Sequence, residues 1–165
     1  MQVEQGEGMA PQHEKSEKSY KEATLLEVKH LDACMELDQL ALQRIWSKQQ
    51  WREELSDSRR LCFGMIENSK LLAIACGWLV IDEIHITVVA VHPEYRRKGL
   101  GKRIFSKLLE EAKSRRCSRA TLEVSVENFA ARSLYKRCGF KGAGQRSNYY
   151  KNGSDAIIQW LSFSP

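Results

Sequence analysis

Hydrophobic and polar residues follow two different periods along the chain, and the shorter period marks the strands. Two apolar runs, Leu61–Glu67 and Leu71–Val80, are separated by Asn68-Ser69-Lys70, a turn sequence that predicts a β-hairpin. The segment Ile84–Val91 is rich in β-branched residues, and His92-Pro93 ends it. We therefore predict three consecutive strands in this part of the chain.

Helical periodicity marks the segments around these strands. Leucine and methionine recur at near-helical spacing from Leu31 to Leu42, and Ser47 with Gln50 forms a capping box that begins a second helix. The clearest helix starts at Leu100 and carries an apolar stripe with lysine and arginine on its opposite face. The remaining predicted elements are strands at Ala23–Val28, Ala120–Val126, Phe140–Ala143 and Asp155–Leu161, and a helix at Ala130–Cys138 that Gly139 can end.

These elements follow one another in the order β-α-α-β-β-β-α-β-α-β-β. One strand–helix–strand unit requires a parallel, right-handed crossover, whereas the first strands can pair in antiparallel fashion. The order predicts an α/β (α+β) fold with a single mixed, mostly antiparallel sheet. At 165 residues the chain has room for one domain. Residues 1–21 are polar and mixed in charge, so we predict a flexible N-terminal tail there and the domain at residues 22–165.

Composition narrows the class of protein. A hydrophobic fraction of 42% with 28% charged residues excludes wholesale disorder, collagen and coiled coil. No run approaches the roughly 18 apolar residues of a membrane span. The N-terminus lacks the apolar core of a secretory signal and contains too many acidic residues for an organelle presequence. We therefore expect a cytoplasmic protein without a membrane partner.

The cysteines and histidines do not form a metal-binding pattern. The five cysteines are widely spaced, contain no CxxC pair and lie mostly among apolar neighbours. The four histidines are equally scattered. We predict that the cysteines are small core residues and that the protein binds no metal.

The most informative segment runs from Arg96 to Arg103 and joins a strand to the amphipathic helix. Two glycines let the backbone approach a ligand, and the first amides of a helix have no intrahelical partners. With five cationic side chains, the segment is typical of a pyrophosphate cradle. The Rossmann fingerprint would need glycine at Ile104, and a P-loop would need glycine at Arg96, so both motifs fail. A solvated basic helix start remains the alternative from these residues alone.

The arrangement Arg96-x-x-Gly99-x-Gly101 after the strand Val88–Val91 resembles the acetyl-coenzyme A motif of the GNAT family of N-acetyltransferases. The resemblance extends from about Thr24 to the end of the chain. Further segments resemble the RimI-type subfamily, which acetylates the N-terminal alanine of a small-subunit ribosomal protein. They are Trp46–Leu55, Thr121–Val124, Asn128–Ala131, Leu134–Phe140 and Asn148–Tyr150.

The resemblance implies the GNAT fold, with six to seven strands and about four helices, and acetyl-CoA as cosubstrate. The amides of Arg97 to Lys102 would hold its pyrophosphate, and Val89 and Val91 would pair with its pantetheine arm. The family pattern usually has Asn or Leu where Thr87-Val88 stand here, which leaves backbone recognition intact. The implied cofactor-binding residues are Val89, Ala90, Val91, Arg96, Arg97, Lys98, Gly99, Leu100, Gly101, Lys102, Asn128 and Tyr135.

Glu123 is the candidate general base. It alternates with Leu122 and Val124, so it faces away from them, and partial desolvation at the centre of a sheet would make it a better proton acceptor. From the residues alone, an edge-strand glutamate that faces solvent or pairs with an arginine remains possible. A backbone amide at Val89 could stabilise the oxyanion if the strand has a bulge there.

Tyr135 is the second candidate catalytic residue. The family resemblance places its phenol near the departing sulfur, as a general acid or a hydrogen-bond donor. The neighbouring Leu134 and Phe140 indicate a buried face, so a core aromatic residue is the alternative.

Three aromatic residues are candidates for binding the acceptor. Tyr149 and Tyr150 lie in a loop between the last two strands, and Trp46 would form the opposite wall. The alternative for the tyrosines is a hydrophobic plug between those strands. Asp32, Glu36 and Asp38 are candidates for a local acidic surface that attracts a basic acceptor.

Three functions of different classes fit the sequence. The first is transfer of an acetyl group to the α-amino group of a protein N-terminus, by direct attack in a ternary complex of a monomeric enzyme. The second keeps fold and cofactor but acetylates a lysine, polyamine or antibiotic amine. The third is nucleic-acid binding, suggested by a net charge of +5, but the basic residues cluster at one helix start and no reader motif is present. The sequence favours the first.

Overall fold

The computed structural model describes residues 19–163, so most of the predicted tail lies outside the described residues. The predicted order of elements is confirmed. The elements are β1 (Thr24–Leu25), α1 (Leu31–Leu42), α2 (Lys48–Ser56), β2 (Arg60–Glu67), β3 (Lys70–Val80), β4 (Glu83–Val91), α3 (Leu100–Ser114), β5 (Arg119–Ser125), α4 (Phe129–Arg137), β6 (Lys141–Arg146) and β7 (Ala156–Ser162). None of the helices in this range is long and apolar enough to cross a membrane.

The strands form one seven-stranded sheet in the order β1-β2-β3-β4-β5-β7-β6. Only β4 and β5 pair in parallel, and every other neighbouring pair is antiparallel. The predicted fold class is therefore confirmed. The predicted strand Ala23–Val28 was wrong beyond Leu25, because Glu27 and His30 cap each other and begin a short 3₁₀ turn at Val28–His30.

Helices cover the two faces of the sheet unequally. On the α3 face, which α3 and α4 cover, Ile104, Phe105 and Leu108 are fully buried against the strands. On the α1 face, Leu37 and Trp51 of α1 and α2 pack over β2, β3 and the second half of β4. Four of the five cysteines are buried, as predicted, and Cys138 is half-buried.

The α1–α2 connection is held in place by one buried carboxylate. Asp38 accepts hydrogen bonds from the Ile45 amide at 2.9 Å, the Trp46 amide at 3.3 Å and the Trp51 indole at 2.7 Å. The side chain is only 2% exposed, so the prediction that Asp38 belongs to an acidic surface was wrong. The carboxylate is needed inside because the left-handed turn at Gln43 leaves these donors without helix partners.

Candidate active site

β4 and β5 are paired over only three residues and then part. The paired positions are Glu83 with Arg119, Ile84 with Ala120, and His85 with Thr121. Both strands continue beyond this point, β4 to Val91 and β5 to Ser125. The separation opens a gap in the middle of the sheet. Several of the predicted site residues lie on the two strands that border it.

Backbone polar groups of β4 line one side of this gap. The amide of His92 donates to the carbonyl of Leu72 in β3 at 2.7 Å. Neighbouring residues of a strand direct their backbone groups to opposite sides. The N–H and C=O groups of Val89 and Val91 therefore point away from β3 and into the gap. This is the arrangement that an added extended chain would need.

The other side of the gap is lined by β5 in the same way. The amide of Val126 donates to the carbonyl of Asp155, just before β7, at 3.1 Å. The backbone groups of every second residue before Val126 therefore point towards β7, and those of the residues between them point away from it. Glu123 and Ser125 consequently direct their backbone groups into the gap. Two unpaired strand edges thus face each other with room for a ligand between them.

A β-bulge lies in β4 just where the strands part. Cys76 is opposite Val88 but Gly77 is opposite Ile86, so Thr87 is the extra residue. The bulge expected near Val89 is present two residues earlier. It changes which side chains face which way: Ile86 packs on the α3 face, whereas Val88 packs on the α1 face.

The start of α3 leaves its first amides free beside the gap. Gly99 caps the helix in the left-handed region at φ 76° without any side-chain hydrogen bond. The amides of Leu100, Gly101 and Lys102 therefore have no helix partner. A Cβ on Gly101 would lie 3.5 Å from Val91, so this turn sits directly against the end of β4.

Positive charge surrounds this helix start. A cavity of about 460 Å³ lies beside it, lined by Lys102, Arg103 and Lys107 and also by Glu22 and Glu110. Free amides, the positive end of the helix dipole and these cations together suit a diphosphate and a further anionic group. The residues present therefore fit the diphosphate end and the extended arm of the expected cosubstrate.

Glu123 lies at the inner end of the gap and is bound to a histidine. Its Oε2 is 3.1 Å from Nε2 of His85, and its side chain is 16% exposed. Nδ1 of His85 is in turn 3.1 Å from Oγ1 of Thr121. A carboxylate can only accept, so Nε2 carries a proton, and in the neutral imidazole Nδ1 accepts from Thr121. The alternative of an edge-strand glutamate paired with arginine was wrong.

Sequence reasoning did not identify His85. The available signal was a polar residue between Ile84 and Ile86, at a position that faces the same way as Glu123 once β4 and β5 are known to be neighbours. That neighbour relation is a property of the sheet, and the sequence alone does not give its register.

Tyr135 of α4 packs in the core on the α3 face of the sheet, whereas Glu123 faces the other side. Tyr135 is buried at 8% exposure, with its ring centroid 5.2 Å from that of Phe105 and 5.9 Å from that of Phe140. Burial, with smaller contributions from Tyr150 and Cys138, raises its pKa to about 12. Its hydroxyl hydrogen-bonds to none of the other residues in the range 19–163, so it is available to a ligand.

Tyr150 connects the β6–β7 loop with these residues. Its pKa is raised by burial, then by Tyr149 and Glu123, which places it in the field of the carboxylate. Tyr149 is 49% exposed and meets Tyr150 edge to face at 5.0 Å. The interpretation of Tyr149 as part of a hydrophobic plug was therefore wrong. The loop is held by Asp155, which accepts from the Asn148 amide at 2.9 Å.

Trp46 and Asn128, the two remaining residues predicted to bind a ligand, each contact nearby residues of the protein. Trp46 packs edge to face on Trp51 at 4.7 Å and lines a cavity of about 430 Å³ beside the α1–α2 turn. Asn128 caps α4, because its Oδ1 accepts from the Ala131 amide at 3.1 Å. Only the side-chain NH₂ of Asn128 therefore remains for a ligand.

Comparison with known proteins agrees with this geometry. Residues 27–140 match the model of the acetyltransferase (GNAT) family. The chain is 35% identical over 142 residues to the [ribosomal protein bS18]-alanine N-acetyltransferase of Escherichia coli K12, covering 84% of this chain and 95% of that one. It is 29% identical over 135 residues to N-alpha-acetyltransferase 30 of Schizosaccharomyces pombe, covering 76% and 87%.

The fold is shared with a solved structure of the same kind of enzyme. The crystal structure of the ribosomal-protein-S18-alanine N-acetyltransferase from Escherichia coli superimposes with a TM-score of 0.80, at 35% identity, over 87% of this chain and 94% of that one. The chain therefore belongs to the acetyltransferase (GNAT) family, and its cosubstrate is acetyl-CoA.

Proposed function

We propose that this enzyme transfers the acetyl group of acetyl-CoA to the α-amino group of a protein N-terminus, namely the N-terminal alanine of a small-subunit ribosomal protein. The observation that carries the proposal is the parted β4–β5 pair with the Glu123–His85 pair at its inner end. Relatives with 35% identity over most of the chain bear the name of that activity. We place the reaction in the cytoplasm and in a monomer, at the domain formed by residues 22–165.

The cosubstrate would be held mainly by backbone groups. When bound, it supplies a thioester-linked acetyl group. The amides from Arg97 to Lys102, including the three of the first helical turn that have no helix partner, bind the diphosphate, and the backbone groups of Val89 and Val91 pair with the amide-bearing arm. Ala90 lies between them in the strand, Arg96 begins the turn, and the NH₂ group of Asn128 reaches the arm from α4.

Glu123 acts as the proton acceptor, and His85 orients it. An α-ammonium group has a pKa of about 7.7–8.0, so near neutrality a modest base suffices to deprotonate it. Oε2 of Glu123 is engaged by His85, which leaves Oε1 for the amine or for one bridging water. The contact with Thr121 fixes the imidazole, and with it the direction of the carboxylate.

Tyr135 acts as a hydrogen-bond donor to the leaving sulfur. Its pKa of about 12 keeps the phenol protonated over the working range. A simple thiol has a pKa near 8.5, so complete proton transfer from this phenol to the thiolate would be uphill. A donated hydrogen bond that strengthens as negative charge develops on sulfur is the role that fits.

The acceptor enters from the side opposite the cosubstrate. Trp46 on the α1–α2 turn and Tyr149 with Tyr150 on the β6–β7 loop form its two walls. Asp38 and Asp155 hold these two loops by hydrogen bonds, so the walls are set before the acceptor arrives.

Mass spectrometry of acetylated peptides tests the proposal. The enzyme is incubated with acetyl-CoA and an Ala-initiated peptide that also contains lysine, the same peptide with a blocked N-terminus, and a polyamine. The expected result is one acetyl group on the N-terminal alanine and none on the blocked peptide or the polyamine. Acetylation of the lysine or the polyamine at a comparable rate would favour the alternative acceptors.

A further inference from the structure

Strand register places six residues in one row across the sheet. Each is directly opposite the next through five strand pairs, so their side chains emerge on the same face. The face is the α1 face, because Thr121 alternates with Leu122, which packs on the α3 face. The row consists of Arg60, Trp78, His85, Thr121, Trp160 and Lys141.

Neither α1 nor α2 covers this row. Their core ends at Cys62, Cys76 and Val88, one step short of it. Trp78 remains 38% exposed and Trp160 36% exposed, although indole side chains are usually well buried. The result is an open aromatic surface on an otherwise covered part of the sheet.

The indole of Trp78 is held in position from one side. The guanidinium of Arg60 lies 5.2 Å from its ring centroid, and Arg60 itself is anchored to the buried Glu54 at 2.6 Å. A side chain fixed in this way loses little entropy when a partner covers it. Trp78 is therefore a preformed contact surface.

The row is continuous with the site of the reaction. His85 belongs to it and touches Glu123, which lies two residues beyond Thr121 along β5, at the inner end of the gap. From Trp78 to Trp160 the row crosses three strand spacings, about 14 Å, which is the length of about four residues of extended chain. Glu123 lies beside the row, on the strand between Trp160 and Trp78, so a polypeptide whose first amine reaches Glu123 turns once before its following residues lie along the row over both tryptophans.

We propose that the row from Trp78 to Trp160 is the docking surface for the acceptor segment that follows the N-terminal residue. The occupant is an extended polypeptide with apolar side chains that cover the two indoles. This rests on the proposed function and adds a requirement to it: the enzyme selects its acceptor over several residues and not by the terminal amino acid alone. Tryptophan side chains of this kind commonly supply most of the affinity of an interface.

Acceptor peptides of two lengths test the proposal. Both begin with the same three residues; one ends there and the other continues for nine more with apolar side chains. The measured quantity is the ratio of kcat/KM for the long peptide to that for the short one. In Trp78→Ser and Trp160→Ser we expect this ratio to fall about tenfold, as for loss of an interface contact of about 1.4 kcal/mol. Leu25→Ser, which alters a similarly exposed apolar residue on the edge strand β1, should leave the ratio unchanged.

The outcomes separate docking from folding and from the reaction itself. An equal loss with both peptides would mean that the tryptophans act on folding or catalysis, and an unchanged ratio would mean that the row binds nothing; either result overturns the proposal. A wild-type dimer that these substitutions dissociate, seen by sedimentation, would assign the row to a second copy of the chain and overturn the proposal.

Failure of the wild-type enzyme to acetylate even the short peptide would contradict the proposed function. Docking would then be tested by binding alone, without the reaction. Calorimetric binding of the long peptide to wild type and not to Trp78→Ser would then still support docking, and equal binding would refute it.

Discussion

The two faces of the sheet differ in the groups that they offer to a ligand. On the α3 face the packing is almost entirely apolar, and the ligand groups are backbone amides at the start of α3 and at the edge of β4. On the α1 face, polar side chains such as Asp38, Glu54 and His85 lie in or beside the core. This difference supports our proposal that backbone groups bind the cosubstrate, whereas side chains bind the acceptor and take its proton.

Buried Glu54 shows how the α1 face differs in its interior. Burial raises its pKa in spite of the bond to Arg60 at 2.6 Å. Its second oxygen has no hydrogen-bond partner within residues 19–163 and lies in a group with Cys62 and Cys76. The α3 face has no comparable buried carboxylate among the described residues.

Replacement of Asp38 should have the largest effect, and it acts on the α1 face alone. Asp38→Ala removes the acceptor of three donors, of which the Trp51 indole is fully buried, so we expect the free energy of unfolding to fall by about 3 kcal/mol. Urea denaturation measures the change. Asp32→Ala, on the exposed side of the same helix, is the control and should change the free energy by less than about 0.5 kcal/mol. An equal effect of both would show that the hydrogen bonds of Asp38 do not hold the turn.

Glu123→Gln tests whether the proton acceptor belongs to the acceptor side. The amide keeps the shape but cannot accept the proton, so we expect kcat to fall about 100-fold. Affinity for acetyl-CoA should be unchanged, because in our proposal the cosubstrate is bound by backbone groups and not by this side chain. Glu53→Gln on α2 is the matched control. An unchanged kcat at saturating peptide would remove Glu123 from the reaction.

His85→Gln tests how the carboxylate is oriented. Loss of the imidazole removes the hydrogen bond that fixes the direction of the carboxylate, so kcat should fall about tenfold. KM for the peptide should change little. An unchanged kcat, or a loss of kcat matched by an equal rise in KM, would show that His85 does not orient the proton acceptor.

Tyr135→Phe should have the smallest effect, because one hydrogen bond is lost while the packing is kept. We expect kcat to fall about fivefold, as for a bond of about 1 kcal/mol. The pKa of Tyr135 is raised from 10.0 to about 12, so its stabilising protonated form is complete below pH 10 and is lost only as pH rises through 12. The wild-type rate should therefore show no titration of this phenol between pH 7 and 10. An alkaline limb there that disappears in Tyr135→Phe would contradict this.

The same contrast between the faces explains what could be predicted from sequence. The glycine turn before α3, the apolar stripe from Leu100 and the alternation around Glu123 are local patterns, and each predicted its element correctly. The contact between His85 and Glu123 depends on β4 and β5 being neighbours with one register. The burial of Asp38 depends on a turn between two helices. Neither has a local signature, since charge and exposure of a single residue do not reveal its partner.

Short glycine-containing strands also escaped prediction. β6 extends to Arg146, three residues beyond the predicted Phe140–Ala143, because Gly142 and Gly144 have no side chains to mark the period. The bulge at Thr87 could not be predicted from the sequence either, because the residues on both sides of it are β-branched and are typical of a regular strand. Backbone irregularities of this kind are set by pairing with β3 and β7.

Calorimetric titration with coenzyme A and with pantetheine tests the central claim most directly. If the free amides at the start of α3 hold the diphosphate, coenzyme A should bind at least about 100-fold more tightly than pantetheine, which lacks it, as expected from loss of two or more charge-assisted hydrogen bonds. Equal affinities for the two, or no heat with either, would contradict the claim that this turn and the β4–β5 gap form the cosubstrate site.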